Sequence, residues 1–209
     1  MKTIINKLKK TISVVGNSKT GNTSFIDRIV NGTFRKNYIS TVGFNLNNIN
    51  INIENNKYNI HFIDTSGNKK IYDFSRTNIF KDIDAIIYMY DVTDKNSFKS
   101  IQEWIEYTKG MVKDKNNCSM FIIGSKIDLE EKREVKEEEG RNLAKKNGMN
   151  FLELSSTTKE SVNKSMLFII KKMLNLPDDF SSEILMGKNS ENINKKETKE
   201  KEDSCCCFG

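Results

Sequence analysis

The sequence lacks the features that mark several classes of protein. Its 209 residues include one proline, one histidine and four cysteines. No stretch approaches the run of about 20 apolar residues that spans a bilayer, and the N-terminal MKTIINKLKK has no apolar secretory core. Three cysteines are adjacent near the end and the fourth is alone, unlike a disulfide framework. We therefore expect one packed domain with a tail, made and kept in the cytosol.

The charge is positive but is spread along the chain. The net charge is +6, and from Asp178 onward eight acidic residues stand against five lysines, which leaves about +9 on the preceding body. No block of lysine and arginine with interleaved aromatic residues appears. Nucleic acid is therefore not an expected partner, and a solvated, lysine-rich surface explains the charge.

Strand-like and helix-like segments alternate. Short apolar or alternating runs predict six strands, at TISVV (11–15), NLNNININI (45–53), KYNIHFI (57–63), DAIIYMYDV (84–92), SMFIIGS (119–125) and MNFLELS (149–155). Helical patterns begin at about residue 23 and cover 97–110, 134–147 and 159–175. The alternation predicts a three-layer α/β fold with a six-stranded, mostly parallel sheet, whose ligands bind at the carboxyl ends of the strands. The lone His61 lies in a strand pattern, which favours a structural role.

The only proline, Pro177, follows the last helical pattern as a stop signal. The remaining residues are polar and short of aromatics, which is typical of disorder. We predict a domain over 1–177 and a disordered tail over 178–209.

Each motif whose residues could bind a ligand or take part in a reaction follows a predicted strand. They are GNSKTGNT (16–23), DTSGN (64–68), GSKID (124–128) and SST (155–157), with YISTVG (38–43) before the second strand. A phosphate-binding P-loop has the pattern G-x-x-x-x-G-K-[ST], in which backbone N–H groups surround phosphates and a lysine reaches their oxygens. Gly16, Gly21 and Thr23 fit this pattern, but the lysine position is Asn22.

Taken in order, these motifs resemble those of the Ras-like small GTPases, and of the Rab branch in particular. The resemblance covers about residues 8–175, and YDVTD (90–94) and the terminal cysteines are its Rab-like features. It implies the small G-protein version of the P-loop NTPase fold, with GTP or GDP as ligand and Mg²⁺ as cofactor. Mg²⁺ prefers hard oxygen ligands in octahedral geometry, such as hydroxyls, carboxylates and phosphates.

The resemblance also implies roles for individual residues. Thr23, Thr41 and Asp64 would bind the metal, and Gly67, Thr41 and Asn68 would form the catalytic group. Phe34 would pack against the guanine, Lys126 would lie along it, and Asp128 would accept hydrogen bonds from two N–H groups that adenine lacks. The implied nucleotide-binding set is Gly16, Asn17, Ser18, Lys19, Thr20, Gly21, Asn22, Thr23, Phe34, Thr41, Gly67, Lys126, Asp128, Ser155, Ser156 and Thr157. Asp64 and Asp128 as caps or turn residues, and Phe34 as a core aromatic, remain alternatives.

Three residues depart from the family pattern. Asn22 replaces the P-loop lysine, Asn68 replaces the glutamine that orients the attacking water, and Ser125 replaces the asparagine of N-K-x-D. These changes predict weakened nucleotide binding and slow hydrolysis. Lys19 could lend its charge from the other side of the loop, although its side chain could also point into solvent.

The end of the chain, EDSCCCFG, resembles the double-cysteine tails that are geranylgeranylated in Rab proteins. Cys206 also occupies the fourth position from the end, as in a C-a-a-X motif. Stable anchoring requires two lipids when no polybasic segment helps. We therefore expect lipidation within Cys205, Cys206 and Cys207.

Two functions are compatible with the sequence. The first is a Rab-like GTPase switch in vesicle trafficking that cycles between cytosol and the cytoplasmic face of intracellular membranes, with effector, exchange-factor and GTPase-activating proteins as partners. The second is a membrane-tethered pseudo-GTPase whose partner contacts do not need the nucleotide. A P-loop kinase is disfavoured because no lid or acceptor site is evident.

Overall fold

The sheet has six strands in the spatial order β2-β3-β1-β4-β5-β6. The computed structural model describes residues 7–35, 39–53, 56–67, 82–110, 112 and 117–180. The strands are β1 (Lys7–Val15), β2 (Phe44–Ile53), β3 (Asn56–Thr65), β4 (Ala85–Asp91), β5 (Ser119–Ser125) and β6 (Asn150–Leu154). Only β2 pairs antiparallel, with β3, and the other four pairings are parallel. The prediction of a mostly parallel sheet is therefore confirmed.

Helices pack on both faces of this sheet. They are α1 (Asn22–Asn31), α2 (Lys95–Lys99), α3 (Ile101–Lys109), α4 (Glu137–Asn147) and α5 (Lys159–Leu174), with a 3₁₀ helix at Ile127–Lys132. One apolar cluster joins the sheet to α1 and α5, and a second joins it to α3 and α4. All seven residues of β4 are buried, as expected for a central strand covered on both faces.

Strand β1 is longer than its apolar pattern indicates. We expected a strand from residue 11, but the backbone from Lys7 onward already pairs with β3. This first part is polar, so its strand conformation depends on cross-strand pairing rather than on burial. Near this end of the sheet Asp84 accepts hydrogen bonds from Lys10 Nζ (2.7 Å) and from the Thr11 amide (2.8 Å). Asp84 therefore lies just before β4 and is not its first residue.

The expected helix at 97–110 is divided in two at Ser100. The Ser100 hydroxyl and the Ser100 amide both donate to the Asn96 carbonyl oxygen four residues earlier (3.0 Å each), so the backbone ladder continues through this residue. A serine hydroxyl bonded back in this way often bends a helix. Asp94 caps the first piece by accepting from the Asn96 amide. The division matters because Ser100 also contacts the loop that follows β1.

The helix expected at 134–147 begins three residues later. The amides of Glu134 and Val135 both donate to the Val92 carbonyl oxygen, at 2.9 and 3.0 Å, which holds this stretch outside the helix. At the start of the helix the Glu139 carboxylate accepts a hydrogen bond from the Lys136 amide (2.9 Å).

After α5 the chain remains in contact with the domain through the end of the described region. Asn175 takes a left-handed conformation (φ 52°) that ends the helix, and Leu176 and Phe180 pack against the cluster under α5. The tail from 181 onward, with Cys205–Cys207, lies outside the described residues. Within the described part of the chain, no helix is both long and apolar enough to cross a membrane.

Candidate functional site

A cleft of about 470 Å³ opens where β1, β3, β5 and β6 end. This is the edge at which a parallel sheet places the residues that follow its strands. Most of the predicted nucleotide-binding residues line the cleft, namely Asn17, Ser18, Lys19, Thr20, Gly21, Asn22, Thr23, Phe34, Thr41, Gly67, Lys126, Asp128, Ser156 and Thr157. Gly16, Asp64 and Ser155 are buried behind this lining.

The loop between β1 and α1 is closely packed against its surroundings. A Cβ at Gly16 would lie 2.3 Å from the Met89 carbonyl oxygen, and one at Gly67 would lie 1.9 Å from the Ser18 nitrogen. Both positions therefore require glycine. The contact of Gly67 with Ser18 places the loop after β3 directly on the phosphate loop.

The Asn22 side chain folds into the loop. Asn22 is the first residue of α1 and is only 6% exposed. The Thr20 hydroxyl lies 3.1 Å from Asn22 Oδ1 and 2.7 Å from the Asn17 carbonyl oxygen, so one hydroxyl proton has two acceptors. At the position of the family's lysine, the chain therefore has a short amide that stabilises the loop itself.

Asn17 connects this loop to α3. Its Oδ1 accepts a hydrogen bond from Trp104 Nε1 (2.8 Å), and its Nδ2 donates to Ser100 Oγ (3.0 Å). The Trp104 ring is buried, with 1% of its surface exposed. A rigid aromatic side chain therefore fixes the orientation of the second residue of the phosphate loop.

The three predicted metal ligands lie together. Thr23 Oγ1 lies 3.0 Å from Thr41 Oγ1 and donates to Asp64 Oδ2 (2.8 Å), and Thr41 Oγ1 is 3.5 Å from the same oxygen. Burial raises the pKa of Asp64 to about 6, although the bond from Thr23 opposes the shift. Asp64 Oδ1 is buried and has no hydrogen-bond partner among the described residues.

These observations fit a hard cation. Two hydroxyls and one carboxylate, one oxygen of which is unsatisfied, form the oxygen-rich surroundings that Mg²⁺ prefers when phosphate and water complete its shell. The described residues contain no group of three histidine, cysteine, aspartate or glutamate side chains that would hold a metal alone. The set is therefore suited to a metal that arrives with a phosphate ligand.

A second polar group lies at the other end of the cleft. Ser155 Oγ contacts Asp128 Oδ1 (2.5 Å) and Thr157 Oγ1 (2.6 Å), and it accepts a hydrogen bond from the Thr157 amide (3.1 Å). Lys126 Nζ donates to Asp91 Oδ2 at 2.6 Å. Asp128 is thus held from behind by Ser155, while it lines the cleft.

Comparison with known proteins identifies the family. The family model described as Ras family matches residues 11–175. This chain belongs to the Ras family. It is 32% identical over 163 residues to "Ras-related protein Rab-1" of Theileria parva, which covers 78% of this chain and 73% of that protein. It is 29% identical over 161 residues to "Ras-related protein Rab-13" of Canis lupus familiaris, covering 77% and 78%.

A larger protein contains a similar segment. The chain is 32% identical over 160 residues to "EF-hand calcium-binding domain-containing protein 4B" of Homo sapiens, which covers 77% of this chain but 22% of that protein. With the Rab relatives and the family match, the chain is a Rab-like small GTPase of the Ras superfamily, a family of guanine-nucleotide-binding proteins.

Ser125 shows what replaces the asparagine of the family motif. Its hydroxyl lies 2.5 Å from the Thr20 carbonyl oxygen and 2.8 Å from the Tyr90 carbonyl oxygen. The serine therefore connects the phosphate loop of this GTPase with β4 and the GSKID loop. Replacing the asparagine of the motif by serine removes the hydrogen bonds of the asparagine amide. The Ser125 hydroxyl replaces part of them.

Two cleft lysines adopt unusual backbone conformations. Lys19 and Lys126 have φ values of 70° and 65°, and among the described non-glycine residues only Asn175 shares a positive φ. Left-handed conformations of this kind concentrate at functional sites because surrounding contacts impose them. The family has glycine at position 19, so the lysine occupies a position that is made for glycine.

Sequence reasoning missed two residues of this site, Asp91 and Arg28, and the structural role of a third, Asn17. Asn17 as a link to Trp104, Asp91 as the partner of Lys126, and Arg28 on α1 emerge only from the packing. No signal in the sequence marks Arg28, which lies beside Asp27 on an ordinary amphipathic helix. The predicted catalytic residue Asn68 and the predicted lipidation sites Cys205–Cys207 lie outside the described residues.

Proposed function

We propose that the chain is a switch of vesicle or membrane trafficking that binds GTP and GDP with reduced affinity and hydrolyses GTP slowly. One observation carries the proposal. The cleft assembles the residues for a base and for a metal, whereas the phosphate-loop lysine is replaced by Asn22, which bonds within the loop. On this proposal the site still selects guanine, but its affinity for the phosphates of the nucleotide is reduced.

The size of the loss follows from the missing cation. Removing one charge-assisted contact to phosphate costs roughly 1.5–3 kcal/mol, or about 10- to 150-fold in affinity. The backbone N–H groups of the loop would still surround the phosphates, and Asp128 and Phe34, which line the cleft, would still face the base. Binding is therefore weakened and retained.

Thr23, Thr41 and, through the second coordination shell, Asp64 would hold Mg²⁺. When bound, this ion supplies positive charge that offsets the charge of the nucleotide's phosphate oxygens. Because Asn22 stands where the P-loop pattern has its lysine, nucleotide binding should depend on these three side chains more strongly than in a loop that keeps that lysine.

Hydrolysis is affected more than binding. Asn68 has the same amide group as glutamine on a side chain one methylene shorter, and misplacing a water-orienting group by about 1 Å costs on the order of 100-fold. The absent lysine would also have stabilised charge on the transferring phosphoryl group. An activating protein that supplies an arginine in trans would compensate for part of this loss.

Attachment to membranes would depend on the terminal cysteines. Replacing Cys205, Cys206 and Cys207 by serine should move the protein into the soluble fraction of cells, because two lipids are needed for stable anchoring. Replacing the buried Cys118 instead should leave the distribution unchanged. A triple variant that stays on membranes would exclude lipidation as the anchor.

The second candidate is a pseudo-GTPase that acts as an interaction module. The burial of Asn22 favours this candidate. The side chain is held by a contact within the loop, so its position does not depend on a bound phosphate. In this case the cleft would keep its shape without a ligand.

The nucleotide content of the purified protein tests both candidates. The protein is denatured, and the released material is separated by chromatography and quantified per chain. GTP or GDP near one per chain supports the switch. No nucleotide, in a protein whose melting temperature does not rise when GDP and Mg²⁺ are added, supports the interaction module.

A further inference from the structure

Arg28 connects the two walls of the base end of the cleft. It lies in the second half of α1, and its guanidinium donates to three backbone carbonyl oxygens. These are Ser156 (from Nε, 3.0 Å), Thr157 (from Nη2, 2.7 Å) and Gly32 (from Nη1, 3.1 Å). Two of these acceptors belong to the SST loop after β6, and the third belongs to the end of α1.

The same guanidinium also contacts Phe34. Its central carbon is 5.6 Å from the centre of the Phe34 ring, within the range of a cation–π interaction. Gly32 is the left-handed residue that ends α1 (φ 66°), where a cation is favoured by the helix dipole. Arg28 therefore fixes both the start of the segment that carries Phe34 and the loop on the opposite side.

The contacts continue to the base-reading carboxylate. The peptide group between Ser156 and Thr157 is held on both sides, because its oxygen accepts from Arg28 and its N–H donates to Ser155 Oγ. Ser155 Oγ in turn contacts Asp128 Oδ1. A chain of hydrogen bonds thus runs from Arg28 through one peptide group and one hydroxyl to Asp128.

We propose that Arg28 is a positioning residue for the base end of the cleft, where it joins the Phe34 segment to the SST loop and aligns Asp128. The inference rests on the proposed function in so far as the positioned ligand is guanine. Opening the Phe34 segment would break the Gly32 bond and loosen the loop on the other side. Release of the base would then be coupled to movement of residues 32–35.

The test compares three variants of the full chain. Arg28→Gln removes the charge and at least two of the three bonds, whereas Arg28→Lys keeps a cation at the helix end but cannot reach three carbonyls. The matched control is Lys10→Gln, which breaks the ion pair with Asp84 (2.7 Å) at the opposite end of the sheet. If Arg28→Gln fails to fold, Arg28→Lys provides the comparison.

The first readout is selectivity for the base. Fluorescent GDP is displaced by GDP or by inosine diphosphate, which lacks the exocyclic amine. In Arg28→Gln we expect GDP release to accelerate by about tenfold and the preference for GDP over inosine diphosphate to fall. The Mg²⁺ concentration that half-saturates GDP retention should stay constant. An unchanged preference, as expected for Lys10→Gln, would overturn the proposal.

The second readout works without nucleotide. Hydrogen exchange of the nucleotide-free protein should become faster in both residues 32–35 and residues 155–158 of Arg28→Gln, and in neither for Lys10→Gln. Faster exchange in one segment or in none would overturn the proposal. A parent protein that binds no guanine nucleotide would instead overturn the proposed function, and the exchange data would still decide the role of Arg28.

Discussion

The base end and the phosphate end of the cleft have diverged from their common family pattern to different degrees. At the base end Asp128 keeps its carboxylate, and Ser155 holds it at 2.5 Å. At the phosphate end Asn22 occupies the lysine position and bonds within its own loop. One cleft therefore combines a base end that keeps its carboxylate with a phosphate end that lacks the lysine of the motif, although Ser125 also replaces the asparagine of N-K-x-D.

The difference concerns two functions that belong to separate motifs, GSKID for the base and GNSKTGNT for the phosphates. A carboxylate that accepts two N–H groups determines which base binds, and a lysine at the phosphates determines how tightly and how reactively it binds. Thr23, Thr41 and Asp64, the residues proposed to hold Mg²⁺, also contact one another. The affected quantity is thus the positive charge contributed by the protein rather than the shape of the site.

The largest expected effect tests the base end. Asp128→Ala should reduce the preference for GDP over ADP by at least about 100-fold, because two charge-assisted hydrogen bonds are lost. Competition against fluorescent GDP measures the preference. Asp94→Ala, which removes the cap of α2 away from the cleft, should leave it unchanged. Equal displacement by ADP and GDP in the parent protein would show that the base end is not selective.

The next effect tests the phosphate end. Asn22→Lys should tighten GDP binding by about 10- to 150-fold, since it restores one charge-assisted contact to phosphate. The measurement is the dissociation constant at fixed Mg²⁺. Asn52→Lys adds the same charge at an exposed position of β2 and should not alter affinity.

A double-mutant cycle sharpens this result. Asn68→Gln should raise single-turnover hydrolysis more in the Asn22→Lys background than alone, because both groups act on one transition state. Unchanged affinity in a folded Asn22→Lys protein would mean that the loop has lost phosphate-binding geometry.

A third effect concerns the folding stability that is lost by burying the Asp64 carboxylate. Burial raises the pKa of Asp64 to about 6, so the folded protein binds this proton more tightly than the unfolded chain. Stability is therefore lost as the pH rises through the interval from about 4 to 6, and the penalty remains above it. In metal-free protein at pH 7, Asp64→Asn should raise the free energy of unfolding by up to about 3 kcal/mol, at about 1.4 kcal/mol per pKa unit.

Chemical denaturation at several pH values measures this gain. The parent and the variant should have similar stability below pH 4 and diverge above it. Addition of Mg²⁺ and GDP should stabilise the parent and not the variant. A variant that is less stable than the metal-free parent at pH 7 would contradict the assigned cost.

The smallest effect tests the connection between the two ends. Ser125→Ala removes the hydroxyl that lies between the carbonyl oxygens of Thr20 and Tyr90, at a cost of about 1 kcal/mol in stability. GDP affinity should fall modestly as well, because the loop and β4 are no longer joined. Ser165→Ala removes a hydroxyl from α5 that bonds only within its helix and should not affect affinity. Equal affinities of the parent and Ser125→Ala would contradict the connection.

The sequence predicted the order of the elements because hydrophobic periodicity and strand-terminal motifs are local. It did not predict the polar part of β1 from Lys7, since pairing with β3 is a long-range contact. It did not predict the division at Ser100 or the late start of α4 either, where hydrogen bonds to single carbonyl oxygens accompany the boundary. These bonds have no periodic signature.

For the candidate site too, local motifs could be predicted and long-range contacts could not. Residues inside motifs, such as Thr23, Asp64 and Asp128, were found because their spacing is conspicuous and the structure brings them to one cleft. Asn17 was predicted to bind nucleotide, but its bonds to Trp104 and Ser100 join residues 87 and 83 positions apart. Arg28 lies in no motif. Its role depends on three carbonyl oxygens, and the pattern of residue types in a sequence does not show where main-chain atoms lie.

The hydrogen bond between Arg28 and Thr157 joins residues 129 positions apart and has a consequence for biosynthesis. The phosphate loop leaves the ribosome before the base end can be completed, because the base end also needs the segment after β6. Nucleotide stabilises only a chain in which its site exists, so it cannot assist early folding intermediates. A chain truncated before β6 would therefore be subject to cellular quality control whatever the nucleotide concentration.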